Sequence, residues 1–328
     1  MEIKNERVRV KAPVRDWARM TVWYETLRRR RVARDQGPPT LADRIRNAAV
    51  SVNAQFLPHY GNSAAVPKWR LLARKLGGPR MLPDFACIGP IKSGTSDLCS
   101  YLLQHPCILP PLAKEIMSAI PSAWRRYYPT LREKEKAEKQ YGKAISGYFN
   151  PIPHSLRLID EYRAARPDAK IILLLRNPID RAYSHYKAEL FHGDRRLARS
   201  AYFKTFADYV NLALDLYPAV PLPTSIGVPL LQAGMYLKPV QLWCDRFGRE
   251  NVYIVRSEDF FRDVASTVCS IYEFLELPPI PPEVHPVVHR NPVKASPLDD
   301  ASREKLREFY RPWNEKLYAF IGRDMEWN

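Results

Sequence analysis

The chain of 328 residues is long enough to bury a sizeable core as one large domain or two small ones, and its composition is ordinary for a globular protein. No segment reaches the roughly 20 consecutive apolar residues of a membrane-spanning helix, and residues 1–7 lack the apolar core of a signal peptide. The formal net charge of +16 favours an anionic partner: a nucleotide, a polyanion or a membrane surface.

These features predict a cytoplasmic protein. The five cysteines show neither the paired spacing of a disulfide framework nor a metal-binding pattern, so we interpret them as reduced packing residues. They are Cys87, Cys99, Cys107, Cys244 and Cys269. The sequence therefore predicts no metal site.

Residues 1–80 are interpreted as a basic, mainly helical N-terminal extension, and residues 81–328 as the main domain. The extension holds 18 Lys and Arg against 6 Asp and Glu, a net charge of +12, so most of the excess charge is local. Four apolar residues recur at helical spacing and predict a helix over residues 13–35. They are Trp17, Met20, Tyr24 and Leu27. Such a helix either packs on the domain with its arginines in water or lies on anionic lipid.

Residues 85–98 predict a buried strand, a tight loop and the first turn of a helix. Gly89 and Gly94 have the spacing of the two glycines in a phosphate-binding loop, where backbone N–H groups and a helix N-terminus together hold an anion. A nucleoside triphosphatase needs a lysine directly after the second glycine, but Thr95 stands there and the nearby cation is Lys92. This shift argues against a site for ATP with magnesium and for a phosphate-like group of lower charge, such as a sulfuryl group.

A second anion site is predicted where the apolar run of residues 171–175 ends. The run indicates a central parallel strand, and Asn177 and Pro178 fit the N-cap and first position of the following helix. Arg176 and Ser184 lie on either side of this helix start, where a fork-shaped guanidinium and a hydroxyl are able to share one phosphate. Either motif alone is compatible with ordinary surface structure, whereas the two in this order favour one nucleotide site.

The rest of the chain alternates strands and helices. We expect helices over residues 96–105, 153–165, 203–216, 238–247, 258–275 and 297–322, and short strands over residues 144–149 and 252–255. Residues 121–143 predict a helical or loop insert over a ligand cleft, and residues 278–292 an extended Pro-rich loop. This order predicts an α/β fold, a single domain with a central parallel sheet flanked by helices and ligand sites at the strand C-termini.

These motifs resemble those of a known family. Residues 92–96 and 176–184 are similar to the 5′-phosphosulfate loop and the 3′-phosphate motif of sulfotransferases that use 3′-phosphoadenosine 5′-phosphosulfate. Further segments recur in similar order in the carbohydrate branch, of heparan and chondroitin type. They are Gly234-Met235-Tyr236, residues 247–252, Ser257-Glu258-Asp259-Phe260 and residues 309–314. The resemblance extends from about residue 83 to the C-terminus and implies a sulfotransferase fold similar to that of P-loop nucleoside triphosphatases.

The resemblance implies a donor and the residues that hold it. The co-substrate would be 3′-phosphoadenosine 5′-phosphosulfate and the product adenosine 3′,5′-bisphosphate, without a metal. Lys92 would stabilise charge on the leaving phosphate oxygens, and Arg290 and Lys294 correspond in position to the late basic loop of the family. The residues implied in donor binding are Lys92, Ser93, Gly94, Thr95, Ser96, Arg176, Ser184, Arg290 and Lys294.

The resemblance also points to an acceptor site at Lys114-Glu115, which is similar to the Lys-Glu pair of the carbohydrate branch, where the glutamate is the general base. A carboxylate suits this role because an alcohol is a poor nucleophile until its proton is removed. Ile116-Met117 and residues 143–146 depart from the family pattern, so acceptor contacts are not carried over to them. The cytosolic origin of the donor, and the membrane anchor of eukaryotic members of this branch, indicate a bacterial member.

Two other function classes stay open at this point. A P-loop kinase or nucleoside triphosphatase would share the fold but needs a lysine after Gly94 and a magnesium-binding carboxylate. A non-catalytic basic module for membranes or nucleic acid would use the N-terminal charge but gives no reason for the positions of Lys92 and Arg176. We predict a sulfotransferase acting on a carbohydrate, a glycolipid or a lipid alcohol, without a nucleic-acid partner. Peripheral contact of residues 1–35 with the inner membrane face is the alternative to their packing on the domain.

Overall fold

The computed structural model describes residues 59–62, 66–116, 121–150, 156–192, 204–219, 229–284 and 295–327. The helix predicted over residues 13–35 lies outside these ranges, as do Arg290 and Lys294. Within them, no helix combines the length and the apolar character needed to cross a membrane.

A four-stranded parallel sheet forms the centre of the fold. The strands of the described chain are β1 (His59–Asn62), β2 (Phe85–Ile88), β3 (Ala113–Glu115), β4 (Gly147–Asn150), β5 (Lys170–Leu175) and β6 (Val252–Arg256). The central sheet has the order β4, β2, β5, β6, and Ile88 at the end of β2 pairs with Asn150 on one side and Leu173 on the other. Strands covered on both faces read as continuous apolar runs, which is why the sequence shows β5 clearly. The predicted α/β fold with a central parallel sheet is confirmed.

Helices cover both faces of this sheet. They are α1 (Lys68–Leu76), α2 (Thr95–Leu102), α3 (Leu131–Tyr141), α4 (Leu156–Ala165), α5 (Pro178–His192), α6 (Phe206–Leu216), α7 (Leu237–Phe247), α8 (Ser257–Arg262), α9 (Val264–Phe274) and α10 (Asp300–Ile321). Helices α2, α5 and α8 begin within a few residues of the ends of β2, β5 and β6. Three helix N-termini therefore lie at the same carboxyl edge of the sheet.

The core has one large aromatic cluster on the face of the sheet that carries α4 and α7. Trp124 stacks on Tyr148 with ring centroids 4.3 Å apart, and Tyr162 lies against both rings. Trp124, Tyr148 and Tyr162 are fully buried or nearly so. The tight helical turn Pro121–Tyr127, expected to cover a ligand cleft, thus contributes its central side chain to the core.

Four of the cysteines pack in the hydrophobic core, as predicted, and Cys269 is half-buried. All five are free thiols, and Cys87, Cys99, Cys107 and Cys244 are buried. Burial raises the pKa of Cys99 to about 12, so this thiol stays protonated at neutral pH.

The single helix expected over residues 258–275 is two helices. The chain breaks at Asp263, whose backbone has φ −140° and ψ 87° and whose carboxylate accepts a hydrogen bond from the Ser266 N–H at 3.0 Å. An aspartate that caps the next helix competes with continuation of the preceding one, and this competition explains the break.

The described residues before position 80 lie against the main body of the fold. Strand β1 pairs in parallel with β3, and the Arg74 guanidinium of α1 donates to the carbonyls of Arg126 and Tyr128, each at 2.7 Å. The division of the chain after residue 80 into an extension and a catalytic domain stays a prediction.

Candidate functional site

The loop between β2 and α2 requires glycine at two positions. A Cβ at Gly89 would stand 2.3 Å from the Leu174 carbonyl oxygen, so the backbone of β5 leaves no room for a side chain. Gly94 has φ +98°, and a Cβ there would approach the Phe261 ring to 2.8 Å. Both glycines of the phosphate-loop spacing therefore have a steric reason in this fold.

Hydrogen bonds from three strand ends hold the loop in place. The Ser93 hydroxyl donates to the Pro90 carbonyl at 2.6 Å, so it closes the turn itself. Arg176, after β5, donates to the Lys92 carbonyl at 3.0 Å, and Ser257, after β6, donates to the Ser93 carbonyl at 2.7 Å. The carbonyls point into the protein and are paired there.

The N-terminus of α2 supplies anion-binding groups. Gly94 is its N-cap and makes no side-chain capping bond, and the first helical bond runs from the Leu98 N–H to the Gly94 carbonyl at 3.0 Å. The amides of residues 95–97 precede that bond and have no helical acceptor, and the helix dipole adds partial positive charge. This end of α2 is suited to an oxyanion.

Four cationic side chains lie around this helix end. Burial lowers the pKa of Lys92, and Arg176, Lys114 and Lys187 lower it further, while Asp97 opposes them. The pKa of Lys187 is lowered by burial and by Arg176. The carboxylates of Asp97 and Glu115 offset part of this positive charge. The remaining charge fits an anionic ligand that carries phosphate or sulfate groups.

Lys114 joins the loop to the predicted acceptor side. Its ammonium group donates to the Ser96 hydroxyl at 2.8 Å and to the Glu115 carboxylate at 3.0 Å. The side chain of Lys114 is 4% exposed and that of Glu115 is 28% exposed. Glu115 is thus oriented by a buried lysine yet open to an incoming group, as a general base has to be.

The start of α5 is built as the sequence predicts. The Asn177 side chain accepts from the Ile179 N–H at 2.9 Å and caps the helix that begins at Pro178. The Asn177 N–H donates to Glu258 at 2.8 Å, and the Tyr236 hydroxyl donates to the Arg176 carbonyl at 2.8 Å. These bonds fix the backbone from which the Arg176 guanidinium projects.

The same helix is anchored by a buried polar row. Arg181 contacts His185 at 3.2 Å and donates to the Leu230 carbonyl, and His185 contacts Glu189 at 3.3 Å. All three side chains are buried, and burial lowers the pKa of His185. His185 is therefore a neutral structural residue.

The structure places Arg176 against the loop of residues 92–96 and shows two further cations, Lys114 and Lys187, that act on Lys92. Ser184 lies half-buried on α5, the helix that begins beside Arg176. Lys114 and Lys187 were not among the predicted donor residues, although Lys187 stands three positions after Ser184 on the same helix. The described residues contain no group of three or more His, Cys, Asp or Glu side chains able to hold a metal ion.

Comparison with known proteins agrees with this geometry. Residues 82–317 match the family described as the sulfotransferase domain. The chain is 24% identical, over 63% of its length, to the bifunctional heparan sulfate N-deacetylase/N-sulfotransferase 1 of Caenorhabditis briggsae, and 28% identical, over 48% of its length, to carbohydrate sulfotransferase 15 of Mus musculus. These matches span only 24% and 31% of the two relatives.

A solved structure gives the same result for the fold. The crystal structure of a sulfotransferase from Alicyclobacillus acidocaldarius matches 74% of this chain and 97% of that chain with a TM-score of 0.55 and 25% identity. The predicted resemblance and the predicted sulfotransferase fold are both confirmed. Since the family match covers well over half of the 328 residues, the chain belongs to the sulfotransferase-domain family.

Proposed function

We propose that this protein transfers a sulfuryl group from 3′-phosphoadenosine 5′-phosphosulfate to a hydroxyl group of an acceptor. The observation that carries the proposal is that Arg176 and Lys114 bond directly to the loop of Lys92 and to Ser96 at the N-terminus of α2, respectively. This donor carries anionic groups at both its 5′ and its 3′ position. Cations that lie at two neighbouring positions therefore fit this donor better than they fit a single phosphate.

In the proposed reaction the acceptor oxygen forms a bond to sulfur while the bond between sulfur and the bridging phosphate oxygen breaks. The electron pair of the broken bond stays on the phosphate of adenosine 3′,5′-bisphosphate, and Glu115 takes the proton of the acceptor hydroxyl. Lys92 offsets the charge that grows on the bridging oxygen, and the amides of residues 94–96 hold the 5′-phosphate. Arg176 and Ser184 hold the 3′-phosphate, with Arg290 and Lys294 as further proposed contacts.

The position of Lys92 argues against phosphoryl transfer from ATP. Thr95 follows Gly94, so the helix lacks the lysine with which a P-loop triphosphatase reaches the terminal phosphates. A competition experiment separates the two functions. We expect adenosine 3′,5′-bisphosphate to displace a bound fluorescent nucleotide at a concentration at which ATP with magnesium does not.

The test of the proposed function is transfer of labelled sulfate. The protein is incubated with the donor carrying sulfur-35 and a lipid and polysaccharide extract of the source organism, and the labelled product is identified by mass spectrometry. We expect label in a hydroxyl-bearing product. Transfer of label from γ-labelled ATP, with none from the sulfate donor, would contradict the proposal.

We propose a carbohydrate, or a glycolipid or lipid alcohol, as the acceptor. The support is the similarity to relatives such as carbohydrate sulfotransferase 15, together with a proposed general base that needs only a hydroxyl as its partner. Fractionation of the extract into polysaccharide and lipid before the labelling experiment distinguishes these acceptors.

A membrane-facing role is supported by helix α1, which exposes its apolar side chains. Trp69, Leu72 and Leu76 are 50%, 63% and 83% exposed and stand three and four residues apart on one face. The opposite face contains Arg74, which bonds to the main body of the fold. Leu71 packs on the core from this opposite face, so α1 has a core-facing side and, in addition, an apolar stripe that faces away from the core.

We propose that α1 and the basic residues 1–35 hold the protein at an anionic membrane surface on the cytoplasmic side. Lysines at both ends of the stripe, Lys68 and Lys75, are exposed, and residues 1–80 have a net charge of +12. Each Lys or Arg near anionic lipid contributes about 1 kcal/mol to binding. Deletion of residues 1–35 is expected to weaken sedimentation with anionic vesicles and to leave nucleotide binding intact.

A further inference from the structure

A cavity of about 150 Å³ lies beside the candidate site, at the carboxyl ends of β2 and β5. Gly89 and Pro90, at the start of the loop, form one side of it. Helix α7 contributes Val240 and Trp243, and Tyr236 closes it near Arg176.

The lining of this cavity is almost entirely hydrocarbon. Apart from Gln232, the Tyr236 hydroxyl, the Trp243 indole N–H and the Met235 thioether, its side chains are aliphatic or aromatic. The Tyr236 hydroxyl already donates to the Arg176 carbonyl at 2.8 Å. A hydroxyl-rich or charged group would lose its water contacts there without replacement. An aromatic ring or an alkyl chain would gain from leaving water.

Hydrogen bonds and strand pairing link the walls of the cavity to the segments that carry Lys92 and Glu115. The Pro90 carbonyl accepts from the Ser93 N–H at 3.2 Å, one residue after Lys92. On the other flank, Ile88 pairs with Asn150, whose amide donates to the Ile116 carbonyl at 3.4 Å, one residue after Glu115. The cavity is therefore bordered by the loop that carries Lys92, and one hydrogen bond links the strand beside its wall to the segment that carries the proposed base.

We propose that this cavity binds the apolar part of the acceptor. The acceptor is then an alcohol that carries an aromatic ring or an alkyl chain of about six carbons, because a cavity of this size takes up benzene. This inference rests on the proposed function and narrows it, since a wholly polar polysaccharide would leave the cavity unfilled.

The adenine ring of the donor is the competing occupant. A purine has several nitrogen atoms that need hydrogen-bond partners, and Gln232 is the side chain in the lining with an amide to offer. An alkyl or aryl group needs none, so the hydrocarbon lining favours the acceptor.

The test is a binding series with alkyl β-glucosides, from methyl to octyl, below their micelle concentrations. Titration calorimetry is carried out on the full-length protein saturated with adenosine 3′,5′-bisphosphate, so that the donor site is filled. We expect the affinity to rise about fourfold for each added methylene and to level off near six carbons. An affinity independent of chain length, or one that rises without levelling, would overturn the inference.

A substitution that fills the cavity sharpens the series. Ala233 lines the cavity and belongs to the short turn Gln232–Gly234, so Ala233→Leu should make the affinity level off at a shorter chain. Ala301→Leu makes the same change at an exposed position of α10 and should leave the series unchanged. If the two variants behave alike, the cavity is not the binding site.

The outcomes separate the two proposals. Loss of alkyl glucoside binding once the bisphosphate is present, with binding in its absence, would assign the cavity to adenosine and overturn the inference. Binding that follows chain length in a protein that transfers no sulfate would support an apolar site but contradict the proposed function. Sulfate transfer without any effect of chain length would contradict the inference alone.

Discussion

The two ends of the candidate site are built from the same kind of junction but differ in what surrounds the cation. Lys92, at the end of β2, lies near Lys114, which pairs with the carboxylate of Glu115 at 3.0 Å. Arg176 lies at the end of β5, near Lys187. Lys187 and Ser184 both belong to the following helix, α5. One end therefore combines cations with a carboxylate, which is the proposed base, and the other combines cations with a helix that carries a hydroxyl.

Because of this difference, we expect one end to act in the chemical step and the other in donor binding. A base next to cations favours a step in which a proton leaves and charge moves, so changes there should act on kcat. Cations with a hydroxyl favour binding of a phosphate group equally in the ground state and in the transition state. Changes there should therefore act on donor affinity. The predictions below test this division, beginning with the largest effect.

Removal of the base should have the largest effect. Glu115→Gln keeps the shape of the side chain but leaves no carboxylate to take the acceptor proton, so kcat should fall by roughly 10²- to 10⁴-fold. The affinity for adenosine 3′,5′-bisphosphate, measured by calorimetry, should stay within a few-fold. Glu308→Gln, an exposed position of α10, is the matched control and should leave both quantities unchanged.

Wild-type turnover in Glu115→Gln would place the base elsewhere. His154, which lies outside the described residues, and the carboxylates of residues 121–143 would then be tested in the same way.

Removal of the loop cation, Lys92, should have the second-largest effect. Lys92→Ala removes the charge that faces the growing charge on the leaving phosphate, so kcat should fall about 10²- to 10³-fold, as for one oxyanion donor. Nucleotide affinity should fall much less, because the loop amides and Arg176 remain. Lys139→Ala removes an exposed lysine from α3 and serves as the control. A kcat near that of the wild type would remove Lys92 from the chemical end.

Much of this division could be predicted from the sequence, because both junctions are local. The apolar run of β5 ends at Arg176, and Asn177 with Pro178 marks the helix start within a few residues. The pairing of Lys114 with Ser96 could not be predicted, because it joins residues 18 positions apart through the return of the chain to β3. Sequence periodicity describes one element at a time, and the four cations meet only through the order of the strands.

Helix α1 is a second feature that depends on contacts between distant parts of the chain. No helix was predicted over Lys68–Leu76, and the face that contacts the protein depends on the Tyr128 and Arg126 carbonyls, which accept hydrogen bonds from Arg74. Likewise, the break at Asp263 occurs because its side chain caps the next helix. The spacing of apolar residues does not predict such a cap.

At the nucleotide end, Arg176→Ala should weaken donor binding rather than the chemical step. Loss of charge-assisted hydrogen bonds of about 2 kcal/mol corresponds to roughly a thirtyfold higher Kd for adenosine 3′,5′-bisphosphate. The loss should be much smaller for adenosine 5′-phosphate, which lacks the 3′ group, and Arg311→Ala provides an exposed control. An equal loss for both nucleotides would mean that Arg176 acts only through its bond to the Lys92 carbonyl.

The crowding of cations at Lys92 predicts a pH dependence of donor affinity. Burial, with Arg176 and Lys114, lowers the pKa of Lys92 in the free protein, and the bound oxyanions should raise it again. Between these two pKa values binding takes up a proton, so affinity should fall as the pH rises, by at most about tenfold per pH unit. Calorimetry in buffers of different ionisation enthalpy measures this uptake. Lys92→Ala should abolish it, and persistence of the uptake would assign the proton to another group.

Helix α1 contributes to neither end of the site, so changes there should alter neither kcat nor donor affinity. Leu72→Gln combined with Leu76→Gln removes apolar side chains that are 63% and 83% exposed, and it should weaken sedimentation with anionic vesicles about fivefold. Leu156→Gln combined with Val284→Gln makes the same change at two other exposed positions and should have no effect. If the stripe is instead covered by residues 1–58, the α1 variant should lower the unfolding temperature without changing vesicle binding. If the wild-type protein does not sediment with anionic vesicles at physiological salt, the proposed membrane binding is ruled out. The apolar stripe and the net charge of +12 would then have some other partner.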